Sequence, residues 1–139
     1  SYERWILHTY FWSRCWCFFE KIGLGRNYRE TSSGSTFAVE HHITYNKEVV
    51  EGDTVECVSR LVGFDEKRLH HYHEMYHLKQ GFLAATCEFL SLHVSLTTRR
   101  VSPMPIEKLN YLSKVLASHK NLPPVKYIGR VIKTPSISE

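Results

Sequence analysis

A carboxylate and an imidazole, Glu40 and His42, stand two residues apart in a segment whose residues alternate like those of a strand. Side chains two positions apart on a strand point to the same face. A carboxylate beside an imidazole can act as a base or nucleophile while the imidazole orients it or supplies an acid. Acids and histidines also share solvated strand faces and dimer contacts, so both interpretations of this pair stay open.

Two further polar residues, Glu88 and His93, interrupt the long apolar segment over residues 82–96. They lie an odd number of positions apart, so on a strand they face opposite sides and cannot act as a simple pair. A polar side chain in an apolar strand needs a hydrogen-bond partner. We keep His93 as a catalytic candidate, but a hydrogen-bonded structural histidine is the favoured interpretation.

A cluster of histidines comprises His70, His71, His73 and His77. His71 and His73 share one strand face, and a His-x-His pair on a strand can ligate zinc. His77 lies on the same face, but no third ligand follows at a clear spacing. We therefore expect no metal site, and a polar edge or interface strand instead.

A hydrophobic helix is predicted over residues 9–22, ending at Gly23 and Gly25, where glycine can adopt the left-handed conformation that closes helices. A polar loop over residues 29–35 is predicted to follow. The helix carries a broad apolar stripe of Phe11, Cys15, Phe18 and Ile22, widened by Trp12, Trp16 and Phe19.

Strand-like periodicity then predicts four long strands over residues 37–45, 54–64, 68–78 and 82–96. Short turns between consecutive strands favour an antiparallel meander. A hydrophobic helix before such a sheet predicts an α+β hotdog fold, a long central helix wrapped by an antiparallel sheet; another α+β sandwich is the alternative. The fourth strand is apolar on both faces, so we expect it to pack on the helix and on something else, such as a partner subunit.

Periodicity over residues 106–119 predicts a surface helix, and the prolines that follow predict an extended tail over residues 120–139. The 139 residues fit one domain, 1–139. No apolar run reaches the roughly 20 residues that span a bilayer, and the 18 basic residues are interleaved with 14 acidic ones, which argues against nucleic acid. Four cysteines without a CxxC pair, and no leader-like start, favour a cytoplasmic protein with reduced thiols.

Several motifs, taken in order, resemble the hotdog-fold acyl-CoA thioesterases of the 4-hydroxybenzoyl-CoA thioesterase-like kind. The closest resemblance is to the betainyl-CoA thioesterase branch, also found fused to carnitine dehydrogenases. The resemblance spans roughly residues 23–132. The motifs are Phe37-Ala38-Val39-Glu40-His41-His42-Ile43, Glu51-Gly52-Asp53, Asp65-Glu66-Lys67-Arg68-Leu69-His70, the block over residues 83–94, Arg99-Arg100-Val101-Ser102-Pro103-Met104-Pro105 and Gly129-Arg130-Val131-Ile132.

This resemblance implies activity on CoA thioesters, a homodimer or dimer of dimers, and no cofactor beyond the coenzyme A of the substrate. It implies Glu40 as base or nucleophile and His42 as its partner, with His93 matching a Leu-His-Val pattern. Cations suit the three phosphates of coenzyme A, and aromatic faces suit a quaternary ammonium acyl group. The candidates are Lys67, Arg68, Arg99 and Arg100 for CoA, and Tyr10 and Trp12 for the acyl pocket.

The stretch before the predicted helix departs from the pattern of that family. Its members usually carry an Asp followed by a Gly-His-Met-Asn-like segment there, whereas residues 1–10 contain no Asp, Gly or Asn, and Glu3 is their only carboxylate. Three functions therefore stay open: hydrolysis of a short-chain acyl-CoA thioester, a non-catalytic hotdog subunit that binds a CoA ester, and an acyl-thioester hydratase or dehydratase.

Overall fold

The structure is a computed structural model that describes residues 3–8 and 16–137, with backbone only for residues 3–8 and Trp16. Within these ranges the chain forms one sheet with helices packed against it. The elements are β1 (Glu3–His8), α1 (Trp16–Lys21), α2 (Arg26–Ser32), β2 (Gly34–Tyr45), β3 (Thr54–Phe64), β4 (Arg68–His77), β5 (Leu83–Ser95), β6 (Arg100–Val101) and α3 (Ile106–His119).

The sheet is antiparallel and has the order β1-β3-β4-β5-β2, with β6 pairing β5. The predicted meander is confirmed for β3, β4 and β5 but is wrong for β2, which pairs β5 rather than its sequence neighbour β3. Pairing with β5 gives β2 a partner along most of its length, and β1 takes the free edge of β3. The connection over residues 46–53 is long enough to cross two strands spaced about 4.8 Å apart.

The inner face of the sheet packs on α1. Phe18 is 0% exposed, and its ring contacts the rings of His71 and His73 on β4. Helix α1 ends as predicted near Gly23, which has φ +78°, whereas the rest of the predicted helix, residues 9–15, lies outside the described residues. The main apolar core joins α1, α2, β3, β4 and α3 through Phe18, Ile22, Leu24, Tyr28, Leu61, Leu69, Met104 and Leu112.

Helix α2 occupies much of the stretch for which a polar loop was predicted, and that prediction was wrong. Ser and Thr side chains suggested a loop, but here they bond carbonyls one helical turn back: Thr31 donates to Asn27 O and Ser32 to Tyr28 O. The helix also buries Tyr28. Glycine is required at Gly34, where a Cβ would lie 2.7 Å from the Tyr28 ring.

The C-terminal segment, for which an extended tail was predicted, contains no helix or strand over residues 120–137. It lies on the outer face of the sheet. Arg60 donates to Pro123 O (2.6 Å), Asn46 to the Tyr127 hydroxyl (3.0 Å), and the Gly129 N–H to Glu88 (2.8 Å). The chain's own tail, rather than a partner subunit, therefore contacts β5 at this point of the outer face.

The predicted surface helix is confirmed with the same bounds as α3. None of the helices in the described ranges has the length and apolar character that a membrane span requires. Cys17, Cys57 and Cys87 are free thiols, and burial raises the pKa of the Cys87 thiol to about 12, so this thiol stays protonated at neutral pH.

Candidate active site

Glu40 and His42 lie on the outer face of β2, as their spacing predicted. A bulge between Ala38 and Glu40 sets the register that pairs Glu40 with Leu90 and His42 with Glu88 on β5. The Glu40 side chain is exposed, whereas His42 is half-buried. The Nδ1 atom of His42 is buried and has no hydrogen-bond partner among the described residues.

Glu88 faces His42 across the strand pair and links β5 to two other parts of the chain. One oxygen bonds His70 Nε2 on β4 at 2.6 Å, and the other accepts the Gly129 N–H at 2.8 Å. An acid within the apolar sequence of β5 was expected to need a hydrogen-bond partner, and Glu88 has two such partners. The sequence signal was the acid within an apolar strand, but nothing local indicated that the C-terminal segment would supply one of the partners.

A cavity of about 590 Å³ lies between β2 and the C-terminal segment. Two cationic side chains of the tail line it together with two polar side chains of β2. The lining residues are His42, Thr44, Arg130, Val131, Ile132 and Lys133. We call this cavity the outer cavity. Of the pair on β2, His42 lines it, and Glu40 lies two residues further along the same strand face.

A second cavity of about 510 Å³ lies where the connection after β2 passes the end of the sheet. Its floor is apolar, formed by Val55, Met75, Ala84 and Ala85, and Glu48 and Glu51 also line it. These floor residues belong to the inner-face core, so this cavity is separated from Glu40 and His42 by the sheet. The predicted acyl-pocket residues, Tyr10 and Trp12, lie outside the described residues.

His93 is 3% exposed and lies on the opposite face from Glu40 and His42. Its Nδ1 atom is 2.7 Å from Ser102 O, an acceptor, so Nδ1 carries the proton. Nε2, at 2.9 Å from the Tyr28 hydroxyl, then accepts that hydroxyl's proton. The hydrogen bonds fit the structural role that was favoured for this residue, and the structure does not bring it to the pair on β2.

His71 and His73 form a buried hydrogen-bonded chain across three strands. Ser59 Oγ is 2.6 Å from His73 Nδ1, His73 Nε2 is 2.7 Å from His71 Nδ1, and His71 Nε2 is 2.9 Å from Ser91 Oγ. Burial lowers the pKa of His73 to about 3 and holds that of His71 well below its usual range, so both rings are neutral.

The strand that carries these histidines is not an edge strand, which was one of the two alternatives predicted for it. β4 lies inside the sheet, between β3 and β5, because the meander supplies it with two neighbours. The apolar rings of α1 cover its inner face, so its histidines satisfy one another instead of facing solvent. The described part of the chain holds no group of three His, Cys, Asp or Glu side chains arranged to bind a metal ion.

The four cations proposed for CoA cluster at one end of the sheet. Arg68 pairs with Leu92 and Arg100 with Ser95, so both lie beside the C-terminal end of β5. At about 3.4 Å per residue these positions are roughly 14 to 24 Å from Glu88 along the strand. Arg68 is already engaged by Asp65 at 2.6 Å, which lowers the pKa of that carboxyl.

Comparison with known proteins places this arrangement in a family. A family model described as the Thioesterase-like superfamily matches residues 8–117. The Betainyl-CoA thioesterase of Pseudomonas aeruginosa is 38% identical over 116 residues, which make up 84% of this chain and 73% of that protein. The chain belongs to the thioesterase-like superfamily.

Other relatives define the reach of this similarity. The L-carnitine dehydrogenase/betainyl-CoA thioesterase of Agrobacterium fabrum is 31% identical over 85% of this chain, which spans only 24% of that longer protein. A Staphylococcus aureus protein solved in complex with CoA matches with a TM-score of 0.83 at 22% identity, covering 97% of this chain and 96% of that one. The hotdog fold predicted for this thioesterase-like chain is thereby confirmed.

In this thioesterase-like protein, Glu40 and His42 are the candidates for the groups that cleave the ester, and His42 also lines the outer cavity. An exposed carboxylate can take a proton from water, and an adjacent imidazole can orient it or return a proton. Arg130 and Lys133 were not anticipated as site residues, although the segment that contains Arg130 formed part of the family resemblance. Their approach to β2 depends on the bonds that hold the tail, which periodicity does not reveal.

Proposed function

We propose that this protein hydrolyses an acyl-CoA thioester to a free acid and coenzyme A. The observation that carries the proposal is the similarity to the Pseudomonas aeruginosa Betainyl-CoA thioesterase over most of both chains. The pair on β2 supports it, because a base and its imidazole partner lie together beside a cavity lined by cations. A short acyl group is the proposed substrate, and the betainyl group is the candidate that the name of this relative suggests.

In this reaction Glu40 takes a proton from water as the water oxygen attacks the thioester carbonyl carbon. The tetrahedral intermediate then collapses, the C–S bond breaks, and the leaving sulfur receives a proton, with His42 as its proposed donor. The products are the free acid and the thiol of CoA. Coenzyme A belongs to the substrate, so the proposed reaction uses no separate cofactor.

A homodimer formed along β2 is the proposed assembly. β2 is the last strand in the sheet order, and its outer edge is unpaired within the described residues. Phe37 and Val39 on this strand are 47% and 53% exposed. An exposed edge with large apolar side chains favours pairing with another strand, and two copies of one edge can pair about a two-fold axis.

The direct test is a panel of acyl-CoA esters in which released CoA is trapped with a thiol reagent. Turnover of a short-chain ester is the expected result. The departure of residues 1–10 from the family pattern favours a second candidate, a non-catalytic subunit that binds CoA esters. That candidate requires CoA to raise the melting temperature without any ester being cleaved, and hydration of crotonyl-CoA would instead indicate a hydratase.

A further inference from the structure

The wall of the outer cavity is cationic. Among the described residues its lining contains Arg130 and Lys133 and no carboxylate. His42 and Thr44 add groups from β2 that can donate hydrogen bonds. A concave surface with two cations and polar donors has the chemistry of an anion site, because charge-assisted hydrogen bonds to an oxygen anion are stronger than those between neutral groups.

The positive charges of Arg130 and Lys133 are not paired with carboxylates of the described residues. Glu88, the acid nearest along the sheet, already has both oxygens bonded, to His70 and to the Gly129 N–H. Glu40 is the acid that β2 itself carries on this face, and it is not among the residues that line the cavity.

The segment that carries these cations is held in place on the sheet. The Gly129 N–H bonds Glu88 at 2.8 Å, directly before Arg130. The Arg130 guanidinium carbon lies 5.3 Å from the centre of the Tyr127 ring, and the Tyr127 hydroxyl accepts from Asn46 at 3.0 Å. This support orders the backbone before a ligand arrives, which reduces the entropy cost of binding.

We infer that the outer cavity is a subsite for an anionic oxygen group of the acyl-CoA substrate, either a carboxylate on the acyl group or a phosphate of the coenzyme. The inference rests on the proposed function and deepens it. His42 both lines the cavity and neighbours Glu40, so a group bound there lies close to the reacting carbonyl. An acyl carboxylate a few bonds from the thioester meets this requirement most directly, so an acidic acyl group, rather than the cationic betainyl group, is the substrate class that this subsite favours.

Succinyl-CoA and butyryl-CoA test this, because their acyl chains have the same length and differ in the terminal carboxylate. We expect wild-type kcat/KM to favour succinyl-CoA by about tenfold, and the double variant Arg130→Gln/Lys133→Gln to lose that preference. The matched control is Lys114→Gln/Lys120→Gln, which removes the same amount of charge at exposed positions at α3. This control should keep the preference for succinyl-CoA. Arg130→Lys/Lys133→Arg, which retains both charges, should retain most of the preference for succinyl-CoA.

A second experiment tests whether the bound anion is a phosphate of the coenzyme. It compares inhibition by CoA with inhibition by dephospho-CoA, which lacks the 3′-phosphate. The subsite would be assigned to the coenzyme phosphate if the Gln double variant, but not its control, raised the inhibition constant of CoA and left that of dephospho-CoA unchanged. Equal behaviour of this variant and its control in both arms would overturn the inference. If no ester is cleaved, the proposed function fails, but calorimetric binding of succinyl-CoA and butyryl-CoA by the same variants still decides on the subsite.

Discussion

Glu40 and Glu88 are carboxylates on adjacent strands of the same sheet face, yet their surroundings assign them different roles. Glu88 has a side chain only 16% exposed, with one oxygen bound to His70 and the other to a backbone N–H. Glu40 is exposed and, among the described residues, forms no ion pair. A carboxylate whose oxygens are not engaged can accept a proton from water, so Glu40 is the proposed base and Glu88 a positioning group.

Glu40→Gln should lower kcat for acyl-CoA hydrolysis at least tenfold, because an amide cannot take the proton from water. Melting temperature should change little, since the side chain is exposed. Glu66→Gln is the matched control: it makes the same change at an exposed turn and should leave kcat within about twofold. Steady-state kinetics with trapped thiol measures both variants. Full activity in Glu40→Gln would remove this residue from the mechanism.

At the scale of elements, the parts that were predictable are those with local signals. β3 and α3 have the predicted bounds, because a period of two or 3.6 residues marks each of them along its whole length. The same-face placement of Glu40 and His42 follows from the period alone. Helix α2 was missed because its Ser and Thr side chains, which usually indicate loops, bond carbonyls within the helix.

The arrangement of the elements was harder to predict from the sequence, because it depends on contacts between residues far apart in the chain. Nothing in the β2 pattern distinguishes pairing with β5 from pairing with β3. The bond between Glu88 and the Gly129 N–H joins residues on β5 and the tail, and it sets where Arg130 lies. Of residues 1–10, where the family resemblance fails, the structure describes only the backbone of β1, and the effect of that departure on the site stays a prediction.

The C-terminal segment should detach locally if its central anchor is removed. Glu88→Ala deletes the acceptor of the Gly129 N–H and the partner of His70, and we expect faster hydrogen exchange over residues 127–133. The loss of stability should be about 1–3 kcal/mol, as for other buried hydrogen-bond partners. Mass spectrometry of exchanged peptides measures the first effect, and urea unfolding the second.

Glu107→Ala provides the comparison for this experiment, because it removes an exposed acid from α3 and leaves the outer face unchanged. Exchange over residues 127–133 should then match the wild type. Equal exchange in Glu88→Ala and the wild type would mean that other contacts, such as Arg60 with Pro123, are sufficient to hold the tail.

At the scale of the whole molecule, the unpaired edge of β2 predicts the assembly. Val39→Lys places a charge on this edge, and we expect it to shift the mass in solution from dimer to monomer, because charged side chains on an edge oppose strand pairing. Ile106→Lys makes the same change at an exposed position of α3 and should leave the dimer intact. Light scattering after size exclusion reports the mass, and a wild-type monomer at micromolar concentration would contradict the proposal.

The buried chain of Ser59, His73, His71 and Ser91 couples the stability of the whole fold to pH. Its rings pack against Phe18, Phe19 and Phe89, and its hydrogen-bond partners are hydroxyls rather than carboxylates. After burial, the charge interactions with His73 and then with His70 also lower the pKa of His71. A proton on either buried ring therefore adds a charge for which these partners provide no counter-ion.

The sign of the pH effect follows from the direction of these pKa shifts. A free histidine titrates near 6.5, and the pKa of His73 in the folded protein is about 3. Between these values the unfolded chain binds more protons, so acid favours unfolding. The stabilisation is complete above pH 6.5 and decreases as the pH falls towards 3. Each histidine contributes a slope of at most about 1–2 kcal/mol per pH unit.

Urea unfolding between pH 7 and pH 5, at one protein concentration, should therefore show a falling free energy of unfolding. His73→Asn, which keeps an amide for hydrogen bonding but cannot titrate, should be less stable at pH 7 and should have about half the wild-type slope. His41→Asn makes the same change at an exposed histidine on β2 and should keep the full slope. A wild-type free energy that stays constant across this range would show that the two rings do not govern the acid response.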